Sequence, residues 1–102
     1  MRESKIEKYL KQQVKLRGGE TRKFVSPGRV GVPDQIIIWK TMSGDRSFTH
    51  PAMIHFAELK ATGKNVRKES AQAREHVRLQ KLGCVVVVLN SIEAIDNYLR
   101  NR

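Results

Sequence analysis

The stretch that decides the fold runs from Gly31-Val32-Pro33-Asp34 to Ala57-Glu58-Leu59-Lys60. Within it lie two apolar runs, Gln35-Ile36-Ile37-Ile38-Trp39 and Met53-Ile54-His55-Phe56-Ala57. Both runs are rich in β-branched and aromatic residues and are bounded by turn formers, which predicts two strands. The segment between them, with Ser43-Gly44-Asp45 at its tip, has the composition of a hairpin-type connection.

Acidic and basic side chains stand at the ends of these predicted strands. Because side chains alternate between the faces of a strand, Glu58 and Lys60 are expected to point the same way, roughly 6–7 Å apart. If the strands are neighbours, Asp34 is close to both. Two carboxylates that can hold a divalent cation, with an ammonium group beside them, are suited to phosphodiester hydrolysis.

Length and composition predict one domain over residues 1–102 with a modest core. Apolar residues make up 39% of the chain and charged residues 29%. No segment approaches the ~20 apolar residues of a membrane span, and the N-terminus lacks the apolar centre of a secretory signal. A cytoplasmic location is therefore expected. The single cysteine, Cys84, allows no internal disulfide and is predicted to be a buried structural thiol.

The charge balance is strongly basic. Twenty Lys and Arg residues against ten Asp and Glu residues give a net charge of +10 and a pI near 10.3. Such a protein is attracted to polyanions, of which nucleic acid is the commonest. Anionic lipid is the less favoured partner, because no amphipathic helix carries bulky apolar anchors. Charge alone does not indicate catalysis.

Periodicity and turn residues predict the remaining elements. They are a helix over 3–17, a strand over 20–25, a helix over 70–82 capped by Ser70, a strand over 84–89 buried on both faces, and a last helix capped by Ser91. The third strand must reach the fourth by a helical crossover. The fold class is therefore a mixed four-stranded α/β sheet flanked by helices, in the order αβββαβα.

An acidic residue falls within the apolar stripe of the first helix. Glu3 projects near the middle of the stripe formed by Ile6, Leu10 and Val14, and Glu7 lies at its border. Burying an unpaired carboxylate is costly, which favours a functional role. A solvated first turn, stabilised by the helix dipole, explains Glu3 equally well. From the helix alone both interpretations stay open.

Two loops and one helix face complete the candidate site. Residues 26–33 form a Pro/Gly-dense loop, suited either to close approach of a ligand or to an ordinary strand connection. The basic loop 61–68 is either a phosphate-contacting segment or a solvated linker. Gln72 lies near the face of its helix that is expected to point toward the protein interior. His50, His55 and His76 lack zinc-ligand spacing, and no metal role is assigned to them.

Asp34 followed by Glu58-x-Lys60, behind a helix that carries a glutamate, resembles the core of the PD-(D/E)xK nuclease superfamily. Four further features sharpen the likeness: the segment 23–34, Phe56-Ala57-Glu58-Leu59-Lys60, Gln72 in a helix, and the segment 82–88. With them the chain resembles, over nearly its whole length, the VRR-NUC branch, the virus-type replication-repair nucleases. Compact stand-alone members of this family are typical of phages and prophages, which implies the cytoplasm of a bacterial host or phage-infected cell.

The resemblance implies a restriction-endonuclease-like core, a divalent metal (Mg²⁺ or Mn²⁺) and DNA cleavage. Asp34 and Glu58 would be metal ligands, with the Leu59 carbonyl adding an oxygen. Lys60 would orient the attacking water and favour its deprotonated form. Glu3 would be the helix carboxylate that helps to hold metal or water, with Glu7 as the alternative, and Gln72 would support the site. The number of metal ions, one or two, stays open.

The expected DNA-binding residues combine the loop that matches the family with the basic positions around the site. They are Lys23, Ser26, Gly28, Arg29, Lys64, Arg67, Lys68 and Arg74. The resemblance also implies a homodimer acting on branched DNA, like a Holliday-junction resolvase. Two other functions share these residues: a non-catalytic nucleic-acid-binding module whose acids and lysine are structural ion pairs, and an RNA-directed ribonuclease.

Overall fold

The computed structural model describes residues 1–40 and 53–102. The predicted hairpin connection and His50 lie outside the described residues. The elements follow the predicted order αβββαβα and are α1 (Glu3–Leu16), β1 (Glu20–Lys23), β2 (Gln35–Trp39), β3 (Met53–Leu59), α2 (Ala71–Lys81), β4 (Val85–Leu89) and α3 (Ile92–Asn101). Each predicted helix and strand is confirmed, with ends that shift by one or two residues.

The strands form one four-stranded sheet in the order β1-β2-β3-β4. The first three strands are antiparallel neighbours, and β4 lies parallel to β3. The register sets Gln35 opposite Ala57, and Glu58 opposite Val88. The mixed sheet with a helical crossover is therefore confirmed, because α2 is the connection between the two parallel strands.

The core lies between one face of the sheet and the helices α1 and α3. Alternate residues of the central strands point to this face, and the apolar stripe of α1 packs there. The buried apolar side chains are Ile6, Leu10, Val14, Ile37, Trp39, Ala57, Leu59, Leu89, Ile95, Tyr98 and Leu99. Each fully buried Ile or Leu contributes about 1.5–3 kcal/mol. The predicted stripe of Ile6, Leu10 and Val14 is confirmed.

A short polar chain crosses this core. The indole nitrogen of Trp39 donates to the hydroxyl oxygen of Tyr98 at 2.9 Å, and Nδ1 of His55 lies 2.7 Å from the same oxygen. Burial lowers the pKa of His55, so the ring is neutral near pH 7. His55 is on the face opposite Glu58 and belongs to the core.

The fourth strand lies at the edge of the sheet. Val85 is 43% exposed and Leu89 is the buried residue of β4, so the predicted burial on both faces is wrong. Cys84 precedes the strand and is half-buried, whereas the sequence predicted a buried thiol. A run of valines is typical of central strands, but among residues 1–40 and 53–102 the strand order gives β4 a neighbour on one side only.

The predicted N-caps are confirmed. The hydroxyl of Ser70 accepts from the backbone N–H of Ala73 at 3.1 Å, and that of Ser91 accepts from Ala94 at 2.9 Å. Each satisfies a backbone donor that the helix leaves unpaired. Within residues 1–40 and 53–102, no helix combines the length and the apolar character needed to cross a membrane.

Candidate active site

The pairing of β2 with β3 brings Asp34 and Glu58 to the same end and the same face of the sheet. Asp34 precedes β2, and Glu58 is the penultimate residue of β3. One carboxylate oxygen of Asp34 accepts from the backbone N–H of Leu59 at 3.2 Å, which fixes Asp34 beside the end of β3. The two acids thus meet because their strands are antiparallel neighbours.

Lys60 and Gln72 join this acid pair. The ammonium group of Lys60 lies 3.7 Å from Oε2 of Glu58 and donates to the side-chain oxygen of Gln72 at 3.0 Å. The amide nitrogen of Gln72 donates to the same Glu58 oxygen at 3.3 Å. Gln72 therefore bridges the lysine and the carboxylate, and it does so from the first turn of α2.

Glu58 is buried in an unusual electrostatic setting. It is 3% exposed, and burial together with the negative charge of Asp34 raises its pKa to about 7, although Lys60 acts in the opposite direction. Burial also raises the pKa of Asp34, with Glu3 and Glu7 adding to the rise. Two adjacent carboxyl groups that resist ionisation are what a divalent cation would stabilise in their charged form.

His76 also faces Glu58. Its Nε2 lies 3.8 Å from Oε1 of Glu58, and the two atoms are buried without a hydrogen-bond partner among the described residues. Burial, with a contribution from Lys60, lowers the pKa of His76, so the ring is neutral near pH 7. The sequence assigned His76 no role. The available signal was its position four residues after Gln72, on the same helix face.

The two glutamates of α1 differ in position. Glu3 is the first residue of the helix and is exposed. Although the sequence placed it within the apolar stripe, it is not buried. Glu7 is half-buried, with Lys23 Nζ 3.8 Å from its carboxylate. The charge of Glu3 raises the pKa of both Asp34 and Glu58, whereas Glu7 acts on Asp34. The charge of Glu3, at the exposed start of α1, is therefore close enough to the acid pair to disfavour ionisation of both carboxyl groups.

Metal ligands at this site would come chiefly from the acid pair. In the part of the chain that the structure describes, no three Asp, Glu, His or Cys side chains are grouped closely enough to form a ready-made metal site. Asp34 and Glu58 nevertheless fit a hard cation, because they are oxygen donors and Oε1 of Glu58 has no hydrogen-bond partner there.

The residues predicted to bind DNA lie on four segments, the fourth being α2, which carries Arg74. Lys23 ends β1, the loop 26–33 leads into Asp34, and the loop 61–68 connects β3 to α2. Asn90 donates to the backbone oxygen of Lys64 at 2.6 Å and so ties the second loop to the end of β4. Ser26 is half-buried; the exposed members are Lys23, Gly28, Arg29, Lys64, Arg67, Lys68 and Arg74.

This combination of a mixed sheet, an acid pair, a lysine and a helix glutamine defines the restriction-endonuclease-like class. A solved structure named "VRR_NUC domain" superimposes with a TM-score of 0.74 at 30% identity, over 96% of this chain and 94% of that one. "Putative nuclease p44" of Acyrthosiphon pisum secondary endosymbiont phage 1 is 42% identical over 91 residues, covering 89% of this chain and 85% of the relative. No protein-family model matches the chain. The chain belongs to the VRR-NUC family.

Proposed function

We propose that this protein is a metal-dependent DNA endonuclease that hydrolyses phosphodiester bonds. The observation that carries the proposal is the pair of Asp34 with the buried Glu58, bridged through Gln72 to the ammonium group of Lys60. The name of the phage relative and membership of the VRR-NUC family support nuclease activity. The metal and the DNA preference rest on the chemistry of the residues and on the family resemblance.

Asp34 and Glu58 would hold Mg²⁺ or Mn²⁺, with the Leu59 carbonyl as a further oxygen donor and Glu3 as the helix carboxylate. When bound, the ion supplies a Lewis acid for the phosphate and lowers the pKa of a bound water. The raised pKa values of the acid pair support this assignment, since a cation relieves the repulsion between the carboxylates.

Lys60 would orient the attacking water, and Gln72 would hold Lys60 in place. The 3.0 Å hydrogen bond to Gln72 limits the conformations of the lysine side chain. Gln72 also keeps Oε2 of Glu58 turned toward the lysine. Together they position a nucleophile and a proton carrier beside the carboxylates, which is the arrangement that general acid–base catalysis requires.

The DNA would bind across the basic loops, and binding would be salt-sensitive because each phosphate contact releases counterions. The net charge of +10 supports a polyanionic substrate. From the resemblance, we extend the proposal to a homodimer with selectivity for branched DNA such as a Holliday junction.

The test is cleavage of labelled four-way junction, flap, duplex and single-stranded DNA, in Mg²⁺, Mn²⁺ or EDTA. We expect metal-dependent cutting by the wild type, lost in Glu58→Gln and Lys60→Ala although both still bind DNA. Glu93→Gln and Lys81→Ala are the matched controls, because both residues are exposed and lie on other parts of the helices. The ranking of substrates tests the preference for branched DNA.

The competing function is a non-catalytic nucleic-acid-binding module, which the high positive charge alone would support. Such a module would bind DNA equally well with metal chelated and would tolerate loss of Glu58. Binding of every substrate without cutting in either metal would contradict the nuclease proposal and favour this module. A labelled RNA substrate, run beside the DNA set, distinguishes a ribonuclease.

A further inference from the structure

A buried carboxylate outside the acid pair is held between two arginines. Glu75 is 3% exposed, and its Oε1 accepts from Nε of Arg29 at 2.7 Å and from Nη1 of Arg78 at 3.0 Å. The hydrogen bond from Arg29 is the main cause of the lowered pKa of Glu75, which is therefore ionised at neutral pH. Both arginine side chains are about half exposed. One nitrogen of each guanidinium group is held by Glu75, and the rest of the group reaches solvent.

These side chains border a cleft between the loop 26–33 and α2. The cleft has a volume of about 260 Å³ and is lined by Gly28, Arg29, Val30, Ala71, Arg74 and Arg78. Three guanidinium groups against the single carboxylate of Glu75 leave it positively charged. Arg29 uses Nε for its hydrogen bond to Glu75, and in the described part of the chain its terminal nitrogens donate to no protein acceptor.

The loop that carries Arg29 is held tightly against α2. Gly31 has φ +85°, and a Cβ atom at this position would lie 2.6 Å from the carbonyl oxygen of Ala71. Only glycine allows this approach without displacing the backbone. The position of Arg29 relative to α2 is thus fixed by backbone packing as well as by Glu75.

The cleft and the acid pair use different faces of the same helix. Gln72 and His76 face Glu58, whereas Ala71, Glu75 and Arg78 face the loop. At 100° and ~1.5 Å per residue, Gln72 and Arg78 are separated by ~9 Å along the axis, or two to three base steps of ~3.4 Å. A strand with one phosphate at the acid pair can therefore place a phosphate two or three nucleotides away at the cleft.

We propose that the Arg29–Arg74–Arg78 cleft is a phosphate-binding subsite for the DNA strand, a few nucleotides from the bond that is cut, and that Glu75 is the positioning residue of its arginines. Planar guanidinium groups are suited to phosphate oxygens because they can donate two parallel hydrogen bonds. This inference rests on the proposed function for its substrate. It adds Arg78 and Glu75, which the sequence did not indicate as functional.

The experiment measures the affinity for labelled duplex DNA in EDTA across a series of KCl concentrations. The slope of log K against log salt reports the number of phosphate contacts, about 0.9 per contact on duplex DNA. We expect Arg78→Gln to reduce the slope by about 0.9 and Arg78→Lys to keep the slope but bind more weakly. The matched control is Arg100→Gln on α3, which loses the same charge and is expected to keep the wild-type slope. Equal slopes for the two glutamine variants would overturn the subsite.

Glu75→Gln tests the positioning role. Removal of a negative charge alone would strengthen DNA binding, whereas loss of positioning weakens binding and lowers the slope. In the double variant with Arg78→Gln we expect little further loss, because both changes act through the same contact. Thermal melting verifies that each variant folds. An unchanged slope in a folded Glu75→Gln protein would overturn the role of Glu75.

Binding in EDTA separates this inference from the proposed catalysis. If the wild type never cuts DNA, the nuclease proposal fails while the slopes still decide the subsite. If the slope of Arg78→Gln falls on an RNA duplex and not on DNA, the assignment to a DNA strand is overturned.

Discussion

Oε1 of Glu58 and Nε2 of His76 face each other at 3.8 Å, and neither has a hydrogen-bond partner in the described part of the protein. The distance is too long for a hydrogen bond. With the pKa of His76 lowered and that of Glu58 raised to about 7, the contact is not an ion pair at neutral pH. Around Glu58, burial and the charge of Asp34 disfavour the ionised carboxylate, so ionisation of this group costs stability.

We expect the stability of the protein to fall as the pH rises through 7. The pKa of Glu58 is 4.5 in an ordinary setting and about 7 in the folded protein. Its favourable contribution is complete below 4.5 and is lost as the pH rises through about 7, because the folded state then has to ionise a buried group. The loss corresponds to about 3 kcal/mol, measurable by urea unfolding in EDTA at pH 5 and pH 8.

Glu58→Gln is the reference for that measurement. The lowered pKa values of His55 and His76 act in the opposite direction below 6.5, so the difference between wild type and variant isolates Glu58. The variant is expected to be more stable than wild type at pH 8. Parallel pH profiles for the two proteins would contradict the assignment.

Mn²⁺ is expected to raise the melting temperature, and more at pH 8 than at pH 6. The cation competes with the proton on Glu58, so its apparent affinity rises as that carboxyl ionises. At a concentration 100-fold above Kd the stabilisation is about 2.7 kcal/mol. Calorimetry of the wild type, Asp34→Asn, Glu58→Gln and the control Glu93→Gln checks this. If Mn²⁺ raised the melting temperature of all four proteins equally, the ion would bind somewhere other than at Asp34 and Glu58.

Replacing Gln72 with alanine is expected to lower kcat roughly 10- to 100-fold, as found for groups that orient metal ligands. DNA affinity in EDTA should be unchanged, because Gln72 contacts Lys60 and Glu58 rather than the exposed surface. Gln80→Ala, an exposed position on the same helix, is the control. If Gln72→Ala weakens DNA binding and leaves kcat intact, Gln72 is a substrate contact instead.

Two glycines of one loop are expected to respond differently to alanine. Gly31→Ala should destabilise the protein by about 1–3 kcal/mol, since the residue has positive φ and its Cβ would collide with Ala71. Gly28→Ala should lie within about 0.5 kcal/mol of wild type, because no described atom beyond the two adjoining residues lies within 4 Å of the added Cβ. Urea unfolding of both variants gives the comparison. Similar losses would mean that the loop is not held against α2 as described.

Local sequence patterns predicted most of the fold. The β-branched and aromatic runs, bounded by turn formers, predicted β2 and β3, and alternation along a strand predicted the shared direction of Glu58 and Lys60. Cap residues predicted the starts of α2 and α3. The β-branched run at β4 could not reveal its edge position, because the strand order depends on long-range pairing.

The site was predictable where strand ends or helix periodicity place its residues, as for Asp34 and Glu58 at the ends of neighbouring strands. Gln72 and His76 share a helix face, which periodicity shows. The link from Arg29 to Glu75 spans 46 residues and depends on how a loop packs against a helix, for which the sequence has no local signal. The exposure of Glu3 depends in the same way on where α1 meets the sheet.

The parallel pairing of β3 with β4 has a consequence for synthesis of the chain. The strands that carry Asp34 and Glu58 can pair as soon as β3 has left the ribosome, but the crossover through α2 is complete only when β4 docks. Pairings of this kind form late in folding, since a long loop must close first. The contacts of Gln72 with Lys60 and Glu58 are therefore expected to form after β2 has paired with β3.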